Sequence, residues 1–417
     1  MSQVLLFVGT RRGLFIARSD GARERWQISP PLLAGREVYH AFLDPRDPRT
    51  AYAATNHAVW GAHVHRSDDA GMTWDVLAEA PHHADERGLE AVWEVAPGRP
   101  DEPDVVFAGI QPAGLFVSED RGESWRAVAA LNDHPTTETW QPAGGALALH
   151  SIHVDPRDTA RLYCAVSAGG VYRSEDGGAS WVPINRGVRA AFQPKTLPES
   201  GQCVHKLRLH GARPDRLYQQ NHSGVYRSDD RGELWTEITA GLPSDYGYAL
   251  AVDPSDSDTL FVIPEESSDM RATVDGKLRV YRSTDAGASW KPMTKGLPQA
   301  HAYVTILREA MHSDSLDPCG VYFGTSTGHL FASRDRGASW SLIAGYLPRI
   351  LSVTVAVAPR RTRVPAKLAQ AEAEAVPARR SRESIESNGG GRRGRRDQPA
   401  RDRSARPARE PAPAHSE

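Results

Sequence analysis

Histidines, carboxylates and aromatic residues gather in the irregular stretches of this chain. His150, His205 and His222 are imidazoles of the kind that hold a divalent metal, and Cys203, two residues before His205, adds a thiol. Glu90 and Glu309, with His150 and His205, have the chemistry for general acid–base work. Two carboxylates about 5–10 Å apart suffice to hydrolyse a glycosidic bond. A further set offers the hydrogen-bonding groups and apolar faces that bind a glycan or another polar small molecule: His40, His57, Trp60, Trp140, Cys203, Gln220, Asn221, His222 and Arg271. Each also has a plainer reading, as an imidazole satisfying channel hydrogen bonds or a solvated surface charge. A divalent metal is the one cofactor these residues suggest. Ser151 lacks the sharp-turn context of a nucleophilic serine. No Gly-rich loop follows a strand and opens a helix, so a nucleotide site is not indicated.

The elements that position these groups are announced by a repeat. Six copies of Ser-x-Asp-x-Gly-x-Ser/Thr-Trp begin at Ser67, Ser118, Ser174, Ser228, Ser283 and Ser333; the copy at Ser228 has Leu234 in place of the hydroxyl residue. A degraded seventh opens at Ser19 and keeps Trp26. Successive starts lie 48, 51, 56, 54, 55 and 50 residues apart. A period of about 50 residues with strand-like sequence between copies predicts an all-β, seven-bladed β-propeller.

The fourth unit shows the plan: strands at 151–154, 162–166, 170–173 and 181–184, with the motif as the turn between the third and fourth. The Asp carboxylates (Asp69, Asp120, Asp176, Asp230, Asp285, Asp335) suit amide-accepting turns, the glycines suit positive φ, and the tryptophans suit packing on the next blade. The first unit lacks a first strand, and 350–357 supplies a strand left over at the other end. Residues 350–358 are therefore expected to complete blade one and close the ring.

Antiparallel alternation puts the motif turns and the Asp-Pro turns, such as Asp44-Pro45 and Asp155-Pro156, on one face. The long irregular loops fall on the opposite face, the usual place for a site on a repeat scaffold. The innermost strands start at that mouth, near His40, Glu90, His150, His205, Tyr248 and Glu309.

Composition narrows the surroundings. Residues 360–417 hold 15 Lys/Arg and 8 Asp/Glu, about +7, which leaves the preceding body near −9. That acidity argues against nucleic acid on the propeller itself. The chain divides at 358/359 into the propeller and an Arg/Ala/Pro-rich tail too poor in apolar residues to fold. The tail's Arg cluster has the charge to contact nucleic acid or an acidic partner, although such tails are ordinarily just solvated. Three cysteines without paired spacing and the lack of a leader or an 18-residue apolar stretch point to a cytoplasmic monomer with no membrane contact.

The repeated Ser-x-Asp-x-Gly-x-Ser/Thr-Trp resembles the Asp-box, or bacterial neuraminidase (BNR) repeat, and the resemblance covers residues 4–358. The chain looks most like bacterial exo-α-sialidase-like or WD40/YVTN/BNR-like repeat proteins. The resemblance implies a sialidase-like or other glycoside hydrolase acting on a glycan. Sialidases carry a Phe/Tyr-Arg-Ile-Pro motif near the first strand; here Pro348-Arg349-Ile350 stands in another order at the other end. Seven blades resemble xyloglucanase-type hydrolases, which face two propellers together. No catalytic residue carries over by motif. A non-catalytic binding or assembly scaffold and a metal-assisted enzyme using the mouth histidines remain the other readings.

Overall fold

The computed structural model describes residues 2–141 and 146–359. They form seven four-stranded antiparallel sheets, one for each unit of the repeat. The first blade runs Ile350–Pro359, Ser2–Thr10, Gly13–Asp20, Gln27–Ile28, so the last strand of the propeller is the innermost strand of its first blade. Val4 pairs with Val357 and Phe7 with Thr354, which closes the ring with a ladder shifted only between Gly9 and Thr10. Arg23 reinforces the joint through a buried ion pair with Asp314 of blade seven at 3.1 Å. The tail expected from 359 onward lies, beyond Pro359, outside the described residues.

The motif turn is a hydrogen-bond cage. In blade four, Asp176 Oδ1 accepts from the Ser180 amide at 2.8 Å and from the Ser174 hydroxyl at 2.8 Å, while Oδ2 accepts from the Ser180 hydroxyl at 2.6 Å. Ser174 Oγ accepts from the amide of Gly178, whose φ of +94° costs glycine little. These bonds, the Ser180 hydroxyl foremost, hold the Asp176 carboxyl below its usual range. In the blade-five turn Leu234 keeps only the backbone bond, to Asp230 at 3.0 Å.

The tryptophans wedge between blades. Trp235 of blade five donates to the Ile184 carbonyl of blade four at 2.7 Å and packs in one cluster with Ile184, Val171 and Leu207. Trp290 repeats the contact on Ile238. The core is thus a series of apolar layers between sheets, and the polar residues of the inner strands are left to the central channel.

Candidate functional site

The inner strands share an irregularity where they leave the mouth. Ladder register shifts between Val38 and His40, Val92 and Glu94, His150 and His153, Val204 and Lys206, and Gly247 and Leu250. These are bulges, which re-aim side chains and recur beside functional sites. The sequence at each is apolar-x-x-apolar: Val38-Tyr39-His40-Ala41, Val92-Trp93-Glu94-Val95, Leu149-His150-Ser151-Ile152, Val204-His205-Lys206-Leu207 and Gly247-Tyr248-Ala249-Leu250; Leu307-Arg308-Glu309-Ala310 repeats the pattern just before the strand Met311–Ser313 of blade seven.

The first x positions build a collar of rings and one guanidinium. Tyr39 meets Trp93 at 5.4 Å between ring centroids, and His205 stacks on Tyr248 at 4.4 Å. Arg308 of blade seven bridges them, its guanidinium 5.0 Å from the Trp93 ring and 5.8 Å from that of Tyr248. Trp93 Nε1 donates to Gln111 Oε1 at 2.9 Å, and Gln111 Nε2 donates to Glu90, which is exposed. The Tyr39 hydroxyl donates to Glu37 at 3.3 Å. Tyr39, Trp93 and Arg308 are half-buried, whereas Tyr248 and His205 are buried.

The second x positions close the channel beneath. Lys206 donates to Glu309, both side chains being shut off from solvent. Burial alone would raise Glu309, but Lys206, His40 and Arg208 override it and hold the carboxyl far below its usual range. Glu94 accepts from the Ile152 amide at 3.2 Å; burial raises it to about 7 despite Lys206. Burial also lowers His40 to about 4 and His153 to about 3. Beyond this layer the channel opens on the Asp-Pro face as a cavity of about 730 Å³, with His40, Glu94, His153, Arg208 and His312 on its inner wall.

The residues singled out from sequence separate into three groups. Glu90, His205, Cys203 and His222 stand at the mouth, with Arg271 exposed on a loop where its Nε donates to the Ser268 carbonyl. Glu309 and His40 lie in the channel, Glu309 committed to Lys206. His57 and Trp60 form a loop tip outside the collar, with Trp60 66% exposed and both Val59 and Trp60 amides on His57 Nδ1. Three residues expected on a binding surface are buried. Trp140 is core, donating to the Tyr172 hydroxyl at 2.8 Å; Gln220 and Asn221 are buried and spend their amides on the turn around them. His150, expected as a metal ligand or acid–base group, is buried with both ring nitrogens engaged. Its Nε2 donates to the Val204 carbonyl and its Nδ1 accepts from the Ser151 hydroxyl, both at 3.0 Å, so it ties blade four to blade five. Cys203, His205 and His222 do converge, each with a donor atom within 4.8 Å of the others.

Tyr39, Trp93 and Arg308 escape a sequence reading, as do Lys206 and Glu94. Period-two alternation hides an inserted residue, and only aligning the strand starts as apolar-x-x-apolar reveals them. Glu265, a carboxylate the sequence already places in the irregular loops, follows the second strand of blade six: burial raises it to about 8, its Oε1 accepts from the Ile306 amide at 3.0 Å, and Oε2 has no hydrogen-bond partner. Arg308 Nη1 is likewise buried without one.

Fold and mouth define the class: a seven-bladed β-propeller whose channel is capped on one face by a collar of rings and charges. The family described as "Sortilin, neurotensin receptor 3" matches residues 169–296, under a third of the chain. The oligoxyloglucan-reducing end-specific xyloglucanase of Emericella nidulans is 26% identical over 333 residues, covering 69% of this chain and 39% of that protein. A xyloglucanase of a Paenibacillus species is 25% identical over 226 residues, covering 45% of this chain and 20% of that protein. The crystal structure of a GH74 enzyme from Niastella koreensis superposes with a TM-score of 0.57 at 21% identity, covering 80% of this chain and 51% of that one. The likeness to that structure establishes the propeller fold. The chain spans well under half the length of the curated relatives it matches. Among the described residues, no helix is long and apolar enough to cross a membrane.

Proposed function

We propose that this chain binds a neutral, glucan-type oligosaccharide across the collar and works as a glycoside-hydrolase-like propeller. The observation that carries the reading is the half-buried Tyr39–Trp93 pair edged by Gln111, Glu90 and Glu37. A pyranose has an apolar face and a polar rim. Aromatic planes bury the first, and carboxylate or amide groups bind the second. Support from relatives is consistent in kind: xyloglucanases match more than half of the chain in several cases. The sialidase-like specificity has no such support, since the arginine motif of that family is missing.

Within this reading Glu90, exposed at the collar and hydrogen-bonded by the Gln111 amide, is the carboxylate for acid–base work. Glu309 serves the channel instead, because its charge is spent on Lys206. The test is tryptophan fluorescence during titration with xyloglucan heptasaccharide, alongside release of reducing ends from xyloglucan. Saturable quenching that Trp93→Ala removes and Trp60→Ala leaves supports binding at the collar. Absence of any response to xyloglucan or cello-oligosaccharides would overturn it. Reducing ends released by wild type but not by Glu90→Gln would add hydrolysis to binding.

A further inference from the structure

Independently of the glycan reading, we propose that Cys203, His205 and His222 form a divalent transition-metal site of zinc type at the rim of blade five. The three donors come from two segments held in register. Cys203 and His205 flank Val204 at the start of the inner strand, and His222 follows the second strand, Leu217–Asn221. The His222 amide donates to the Cys203 carbonyl at 2.9 Å, which fixes the spacing of the two segments. One ligating atom of each residue lies within 4.8 Å of the others. Tetrahedral bonds of about 2.0–2.3 Å would set such donors roughly 3.3–3.8 Å apart, so small side-chain shifts complete the set.

The tautomer is already chosen. His205 Nδ1 donates to the Gly247 carbonyl at 2.6 Å, which leaves the Nε2 lone pair for a metal. A backbone carbonyl behind the ligating imidazole is the usual outer support of such sites. The ring of His222 meets that of His205 at 76° with centroids 5.6 Å apart, and Tyr246 packs edge-on against both. The aromatic wall restricts how far either ring can turn away. One thiolate and two imidazoles favour zinc over magnesium or calcium, and three protein ligands leave a fourth position for water or a substrate oxygen. His150 stands outside the set because both of its nitrogens are engaged.

The full chain, purified without a polyhistidine tag and stripped with a chelator, is titrated with Co²⁺ and then Zn²⁺. One equivalent of Co²⁺ should bind with visible d–d bands of a tetrahedral site and a near-ultraviolet thiolate-to-cobalt band, and Zn²⁺ should displace it. Cys203→Ser should lose the thiolate band, and His222→Ala should weaken Co²⁺ binding at least tenfold with an unchanged melting temperature. His82→Ala, exposed on the link between blades two and three, should leave both readouts alone. Failure of the wild-type protein to take up a stoichiometric metal would overturn the proposal. So would Co²⁺ binding that Cys203→Ser and His222→Ala leave intact.

Discussion

Lys206 of blade five donates across the channel to Glu309 of blade seven, so one ion pair ties two sheets that are not neighbours in the ring. Both side chains are buried, and Glu94 and Arg208 complete the charged layer around them. Losing one partner strands a charge away from water, which costs about 3–5 kcal/mol. Lys206→Met is therefore expected to lower denaturant stability by that order. The double change Lys206→Met with Glu309→Leu should recover much of the loss. Equal destabilisation of the single and double variants in urea unfolding would refute the coupling.

Glu265 makes stability depend on pH in an unusual direction. Its carboxyl sits at about 8 in the fold, above the usual value near 4.5, because burial disfavours the charge. Between those values the folded state holds a proton that the unfolded chain has released, so stability falls as pH rises from about 4.5 to about 8. Glu265→Gln keeps an oxygen for the Ile306 amide and removes the titration. Its stability curve should be flatter than wild type across that window. Parallel curves for the two proteins would remove Glu265 as the source.

Ring closure rests on Ile350–Pro359, which pairs along the whole of Ser2–Thr10. A chain ending at residue 349 leaves the first blade one strand short and exposes its ladder edge. Its thermal transition should fall steeply or vanish. A chain ending at residue 360 should melt like the full-length protein. Indistinguishable melting of the 349 truncation would contradict closure by this strand.

The motif turn of blade five offers a gain rather than a loss. Leu234 is 45% exposed and stands where Ser180 and Ser289 give a hydroxyl to the turn carboxylate. Leu234→Ser should add that bond to Asp230 and stabilise by about 1 kcal/mol. An unchanged or lower urea midpoint would show that the sixfold cage is not equally built in every blade.

The blades are legible in the sequence because each motif couples a turn, a glycine and a wedge at one spacing, and a ring of such units can close in few ways. The closing strand is legible for the same reason: blade one starts a strand short and 350–357 is one strand too many. The mouth is legible only in outline. Cys203, His205 and His222 are found because ligand chemistry marks their types, whereas Tyr39 and Trp93 read as ordinary strand aromatics until a bulge turns them to the rim. Trp140 misleads in the opposite sense: an aromatic residue in a long loop reads as accessible, yet the Tyr172 hydroxyl and the adjoining apolar layer bury it. Gln220 and Asn221 mislead likewise, since the turn they form consumes their own amides.

The measurement that bears most directly on the mouth as a glycan site is calorimetric titration of the full chain with xyloglucan heptasaccharide. Wild type and Arg208→Met, altered in the Asp-Pro-face cavity, should both bind one equivalent, and Trp93→Ala should bind at least tenfold more weakly. No heat from wild type, or binding lost in Arg208→Met and retained in Trp93→Ala, would contradict the collar as the glycan site.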